Sequence, residues 1–394
     1  MAITASAIAA LVGRFNNKVV VPQALLSFPA LDKKVVTTLK KPTERGTVNI
    51  KAGGHSSTGL IADAGTLPTG ASNDITQLTY DPTFIMSRLS IPRGGSTISR
   101  NPEDGVDVVM EQMETAGRDL GRTLGRAFYK STLSTPLAAV STGATLTVTD
   151  VAGWRIGATV EHRESGGTLV QEFTVSSIAL NADGTNGGVV TTSADFSVAN
   201  KDVATTDVMY LKGAQANTFI SLHTAASKDD SLYGQAVTAL EWAGNEDTTT
   251  ATFSPEALRV LFTNTQRRGG DKPSHVILNA LNEQRVYESM DDEIRYIGKK
   301  MDQYGLSLAF NGTPVFVDDN VPDTHIFLHN KRVAQLHCFR EFAPDFDGDK
   351  KPGMSRAAVI VSDTTFTYDL QIWGSYQGRF TERRCLGLMS AITG

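Results

Sequence analysis

Seven histidines, two cysteines and a few close carboxylates are the residues of this chain whose types and spacing can do chemistry. His325 and His329 stand four apart, a spacing that on a helix turns both imidazoles to one side as a metal pair. The residues between them, Ile326-Phe327-Leu328, predict a strand instead, and no HExxH run accompanies them. No metal site is expected there. The run Asp345-Phe346-Asp347-Gly348-Asp349-Lys350 spaces three carboxylates like the start of a calcium loop. A calcium loop needs glycine at its sixth position and a bidentate glutamate at its twelfth, where this chain has Lys350 and Arg356. A surface turn is expected. Asp318 and Asp319 follow a strand, and neighbouring carboxylates on a strand point to opposite faces, so they cannot share a substrate. Cys338 beside His337 suggests a thiol nucleophile, but the same divergence applies, and a buried structural cysteine is the commoner case. No GxSxG elbow, P-loop or dinucleotide fingerprint is present. No catalytic residue, cofactor or metal ligand is assigned, and the chain reads as a structural protein, not an enzyme.

The bulk of the chain fits that view. Its 394 residues exceed one small domain and predict two or three units. Hydrophobic residues at 40% and charged residues at 20% suit a packed globular core. The net charge of -5 lacks the basic surplus of a protein that grips phosphates. It suits a protein that lies near DNA without adhering to it. Residues 1–51 carry eight basic residues against Asp32 and Glu44, a surplus of six, which leaves the remainder at -11. A basic arm on an acidic body can lie across a neighbour's acidic surface or face a polyanion. Cys338 and Cys385 alone make no disulfide framework. No apolar run approaches the ~20 residues that cross a bilayer, so no membrane partner is expected. The opening MAITASAIAALVGRF has neither a preceding basic residue nor a cleavage site, so no secretory leader is expected.

The elements that must position any site follow from pattern. Residues 1–45 read as an irregular arm with a short helix at Ala5–Phe15 and extended pieces at Lys18–Pro22 and Lys34–Leu39. Residues 46–93 predict two strands around a loop rich in Gly, Ser, Thr and Ala. That loop has too few apolar residues to fold alone and is expected to dock on a neighbour. Residues 101–130 predict a long helix. Asn101 caps it, Pro102 takes the first position, and apolar residues recur at Val106, Val109, Met113, Ala116, Leu120, Leu124 and Ala127. Gly117, Gly121 and Gly125 make a small-residue stripe along it, expected to let a sheet pack closely. Residues 141–212 switch to strands divided by Gly, Asn and Asp turns, a small all-β unit of sandwich or barrel type. Residues 216–394 are mixed: a helix capped by Ser254-Pro255, a strand at His275–Leu278, a helix at Asn282–Met290, and an Asn311-Gly312 hairpin of the type I′ kind.

This order of parts resembles the Hong Kong 97-type fold of tailed-bacteriophage major capsid proteins. NPEDGVDVVMEQMETAGRDLGRTLGRAFY is similar to that family's spine helix, and VILNALNEQRVYESM to its A-domain strand and helix. FNGTPVFVDDNVPDTHIFLHN and DTTFTYDLQIWGSYQGRFTERRCLGLMSAI resemble its late hairpin and closing strands. The resemblance implies an α+β fold: an N-terminal arm (1–45), an extended E-loop hairpin and strand (46–100), the spine helix of the P domain (101–140), and the rest of the P domain with the A domain (213–394). The all-β unit, 141–212, is an insertion outside the shared core, expected on the outer surface.

The implied function is a head protein that self-assembles, as hexamers and pentamers, into the icosahedral shell enclosing the phage genome. It would be located in the virion and assembled in the host cytoplasm. The implied partners are a separate scaffolding protein, since no scaffolding extension precedes the arm, a decoration protein, the portal, and packaged double-stranded DNA held without sequence specificity. Some members staple subunits through an E-loop lysine. Residues 52–93 contain no lysine, and Lys51 sits at the base, so no isopeptide bond is expected. Arg93, Arg100, Glu111, Glu114, Arg118 and Arg122 are the expected inter-subunit contacts. Two alternatives stay open: an encapsulin-like compartment shell, which normally lacks such an insertion, and an adhesin or carbohydrate-binding protein led by the 141–212 segment, which leaves the spine helix and the long loop unexplained.

Overall fold

The computed structural model describes residues 21–51, 75–92, 108–130, 133, 143–148, 150–151, 153–164, 167–181, 187–196, 202–212, 219–235, 237, 242–250, 252–290, 309–344, 359–361 and 367–392. Residues 1–20, with the expected Ala5–Phe15 helix, and the loop 52–74 lie outside them, as do Asn101, Pro102 and the 345–350 carboxylate run.

The N-terminal segment is more ordered than its prolines suggest. Val21–Leu26 (α1) and Pro29–Asp32 (α2) are short helices, and Thr37–Lys40 (β1) follows as a strand. Lys18–Pro22 was expected to be extended, yet Val21 and Pro22 open α1. Pro22 falls in the first turn, where a missing N–H costs nothing. Phe28, Ala30, Val35 and Val36 are buried in the main core, so this stretch packs on its own body.

Gly46–Lys51 (β2) and Ile75–Tyr80 (β3) pair antiparallel from Gly46–Tyr80 to Lys51–Ile75 and form the root of the long loop. Val48 and Ile50 alternate with exposed Thr47 and Asn49, so one face of β2 joins the main core with Tyr80. Thr83–Pro92 (β4) then changes partner, with Thr83 and Ile85 turned inward and Phe84 and Met86 outward.

Val108–Tyr129 (α3) is the spine, 22 residues and therefore about 33 Å long. Met113, Ala116, Leu120 and Leu124 are buried as their spacing predicts. The strands of the all-β unit follow: Thr145–Val148 (β5), Thr159–Arg163 (β6), Leu169–Leu180 (β7), Gly188–Thr192 (β8) and Val208–Leu211 (β9). They form one antiparallel sheet in the order β5-β8-β7-β6-β9. β7 divides its length, pairing with β6 through Thr174 and with β8 from Val175, where the register shifts. This sheet has its own core, in which Trp154 stacks on Phe173 and Phe196 meets Phe173 edge-on.

The remainder supplies Leu222–Ala226 (α4), Asn245–Asp247 (β10), Pro255–Gly269 (α5), His275–Leu278 (β11), Ala280–Met290 (α6), Ala309–Phe310 (β12), Thr313–Val317 (β13), Ile326–His329 (β14), Ala334–Pro344 (β15), Val359–Val361 (β16), Thr367–Phe380 (β17) and Gly387–Met389 (β18). Ser254 caps α5 by accepting from the Ala257 N–H, and Gly270 ends it at φ 74°. Asn311 and Gly312 both take positive φ, as a type I′ turn requires. One mixed sheet runs β10-β18-β14-β11-β13-β12. A second runs β1-β15-β17-β16, and β4 pairs with β17 along its full ten residues.

Within the glycine stripe of α3, Gly121 meets a helix where a sheet was the expectation. A methyl added at Gly121 would fall on the carbonyl oxygen of Ala24 in α1, and one at Gly125 would meet the Asn320 amide and Phe28. A helical glycine free of neighbours gains about 1 kcal/mol on becoming alanine. Gly121→Ala should do the reverse and destabilise the chain by about 1–3 kcal/mol, because backbone cannot yield as a side chain can. Chemical denaturation of the variant checks the sign.

Candidate inter-subunit contact face

Helical spacing places Glu111, Thr115, Arg118 and Arg122 on one side of α3, and all four are exposed. Glu114 stands beside them, half-buried. Arg118 reaches Glu114 at 3.8 Å and donates from Nε to the Gln23 amide oxygen at 3.3 Å. The structure thus brings four of the six expected contact residues onto one ridge. Arg93 and Arg100 lie outside the described residues.

Next to the ridge runs a groove of about 970 Å³, walled by α1, α3, β4 and the all-β unit. Its rim carries Leu26, Phe84 and Met86, at 60%, 56% and 62% exposure. Large apolar side chains so exposed are a feature of contact surfaces when they cluster. The strand period of β4 forces Phe84 and Met86 outward, because Thr83 and Ile85 face the core. Phe84 meets Trp373 edge-on at 5.6 Å, and the Arg340 guanidinium lies 3.6 Å over that indole. Sequence spacing placed Phe84 and Met86 in an extended run. Their outward facing depended on which neighbour β4 paired with.

The groove is held rigid from below. Arg126 forms an ion pair with Asp150 and donates from Nη1 to the Asn320 carbonyl at 3.2 Å. Arg155 donates from Nη2 to the Asp119 carbonyl at 3.0 Å and lies 3.4 Å from its carboxylate. These two arginines tie the all-β unit to the spine. Asp318 is buried and accepts from the Tyr129 hydroxyl at 3.0 Å, the Ala30 N–H at 3.3 Å and the Asn320 N–H at 3.0 Å. Burial raises its pKa, and those hydrogen bonds oppose the rise. Asp319, its neighbour, is exposed, and both residues line the groove.

The other chemical candidates resolve into structure. His325 precedes β14 and His329 ends it, about 13 Å apart along extended chain. Each packs on a different histidine, His223 at 5.0 Å and His275 at 6.5 Å between ring centroids. Among the described residues no group of three His, Cys, Asp or Glu can hold a metal ion. Burial pushes the Cys338 thiol up to about 11 and the Cys385 thiol to about 12, the opposite of an activated nucleophile. The His337 ring serves as a joint: Nε2 donates to the Lys41 carbonyl at 3.0 Å and Nδ1 accepts from the Tyr80 hydroxyl at 2.8 Å. That links the arm, β15 and the root of the long loop. Among the described residues no helix is long and apolar enough to cross a membrane.

No family model matches the chain, and no curated protein matches it. Solved structures do. A chain of the cyanophage A-1(L) capsid asymmetric unit superposes with a TM-score of 0.53 at 11% identity, over 96% of this chain and 95% of that one. A chain of the empty GTA particle capsid gives 0.48 at 8% identity, over 93% and 90%. A holo-encapsulin from Synechococcus elongatus gives 0.44 at 8% identity, over 95% and 89%. The mixed helix-and-sheet fold of this chain is therefore similar to that of the cyanophage capsid chain.

Proposed function

We propose that this chain is the major capsid protein of a tailed bacteriophage, a non-enzymatic subunit that assembles with its own copies into the shell around the genome. The observation that carries this reading is the fold likeness to the cyanophage capsid chain, which leaves almost no part of either chain unmatched.

In this reading residues 1–45 are the arm, 46–100 the E-loop hairpin and strand, α3 the P-domain spine, and the sheet β10-β18-β14-β11-β13-β12 with α5 and α6 belongs to the A domain. A shell subunit must occupy closely related but non-identical positions. A rigid body with long extensions meets that need. Val48, Ile50 and Tyr80 hold the root of the loop on its own body. Residues 52–74 contribute Asp63 and Asp74 and no Lys or Arg, which favours landing on a basic surface of a neighbour. The five-stranded unit, fixed to the spine through Arg126 and Arg155, would stand on the outer face and meet neighbours or a decoration protein. The net charge of -5 lets the inner surface lie against packaged DNA without gripping its sequence.

Expression with the neighbouring genes, followed by electron microscopy, tests the reading. Closed particles of regular size are expected. Their denaturing gel should show one band at monomer mass, because residues 52–93 offer no lysine for a covalent staple. A ladder of multimers would refute the absence of cross-links. A soluble monomer under every assembly condition would refute the shell itself, and particles filled with a protein cargo in place of DNA would make it a storage compartment.

A further inference from the structure

The exposed ridge of α3 carries a charge order that is left partly unanswered among the described residues. Arg118 has partners in Gln23 and Glu114. Among the described residues Glu111 and Arg122 have neither a hydrogen bond nor an ion pair. They are eleven residues apart, which is about three helical turns, so they share one side of the helix at a separation of about 16 Å. That is too far for them to meet within one chain.

We propose that the spine helices of two copies pair antiparallel across a two-fold axis that passes midway between Thr115 and Arg118. In that arrangement Glu111 of each copy faces Arg122 of the other, and Glu114 and Thr115 face Arg118. Every unanswered charge on the ridge then finds its opposite in one operation, as a self-complementary isologous contact requires. The antiparallel order also sets the helix dipoles favourably. A parallel pairing would place glutamate on glutamate and arginine on arginine. Each exposed pair is worth only ~0–1 kcal/mol, so the charges set register and direction. Burial of the rim residues Leu26, Phe84 and Met86 supplies the strength. The proposal deepens the shell reading by naming which part of a second copy covers the ridge, ahead of a neighbour's 52–74 loop.

Cysteine pairs in the full chain test it, since the native Cys338 and Cys385 are buried. Under mild oxidation Thr115→Cys with Arg118→Cys should give a disulfide-linked dimer, at least about tenfold more than Thr115→Cys alone, because only the antiparallel register sets 115 against 118. No dimer from the double variant, or as much from Thr115→Cys alone, overturns the proposal. Charge exchange gives an independent measure. Glu111→Arg and Arg122→Glu should each lower dimer yield by about fivefold or more, and the two together in one chain should restore it. A double variant no better than either single one overturns it and favours the loop as occupant. Particles that assemble without the cross-link leave the shell reading intact and remove this contact. Cross-linked dimers that never form particles do the opposite.

Discussion

Arg383→Ala is expected to destabilise the chain by at least about 4 kcal/mol, the largest single-residue effect in the molecule. The side chain is fully buried, yet among the described residues no carboxylate is bonded to it. Its guanidinium is spent on backbone. Nε donates to the Ala225 carbonyl at 3.0 Å, Nη1 to Asp230 at 2.7 Å, and Nη2 to Thr224 at 2.9 Å and Ser227 at 2.7 Å. Three of these four carbonyls belong to α4 or the residue that follows it, where a helix leaves its last carbonyls without partners. Trp242 flanks the same group, its ring centroid 5.9 Å away. Burial lowers the arginine's pKa to about 10, still well above neutral, so the group stays charged. Truncation strands four buried acceptors at about 1–3 kcal/mol each and opens a cavity, offset in part by water entry. Arg383→Lys should recover less than half of the loss, since a lysine cannot fork toward four acceptors. The contrast is Arg332, 66% exposed and paired with Asp271. Arg332→Ala should cost under about 1 kcal/mol. Urea denaturation of the unassembled variants measures both, and equal costs at the two positions would contradict this account.

Arg383 also shows where sequence legibility ends. The 3-and-4 spacing of Met113, Ala116, Leu120 and Leu124 announces the buried side of α3 because every term in it is local. Asn311-Gly312 announces its turn for the same reason, and Ser254-Pro255 its cap. All five strands of the all-β unit are readable from short runs such as TLTV and QEFTVSSIAL. The single sheet order β5-β8-β7-β6-β9 is not, since it depends on how β7 divides between two partners. What escapes is non-local. Arg383 lies about 155 positions from the carbonyls it holds, and Asp318 accepts from Ala30 across 288. The glycine stripe signals close approach without saying what approaches. A sheet and a helix satisfy it equally, and the answer lay in Ala24, nearly a hundred residues upstream.

The proposed contact face divides the same way. Glu111, Glu114, Arg118 and Arg122 are legible as the polar side of a helix, and the structure gathers them on one ridge. Phe84 and Met86 read from sequence only as apolar positions of an extended run, because an exposed apolar residue in a strand looks like a buried one until its partners are known. Interface chemistry of this kind has no fixed motif. It is carried by charge order and exposed area, which is why the fold is easier to read here than the site.

Acid should unfold the unassembled chain well before its carboxylates are fully protonated. Burial holds three histidines neutral: His223 is lowered to about 4, His329 to about 3, and His325 well below 6.5. Neighbouring basic groups add to the effect, Lys130 on His223 and His325, and the titratable His275 on His329. Among the described residues the Nδ1 of His223, Nε2 of His325 and Nδ1 of His329 are buried without a hydrogen-bond partner, so each new proton would meet no acceptor there. In the unfolded chain these rings titrate near 6.5. Between pH 6.5 and about 4 the unfolded chain therefore binds more protons than the folded one, and stability falls as pH falls. Above 6.5 the contribution is complete and flat. Each group loses roughly 1 kcal/mol or more per pH unit below 6.5, so a drop of about 3 kcal/mol is expected between pH 7.5 and pH 5.5. Urea midpoints at the two pH values measure it. His329→Gln keeps a donor for the Val35 carbonyl, which His329 Nε2 reaches at 3.2 Å, and removes one titration. Its pH dependence should shrink by about a third. A wild-type midpoint unchanged between pH 7.5 and 5.5 would mean that these rings are hydrated in solution and that the β14 end of the main core is open to water.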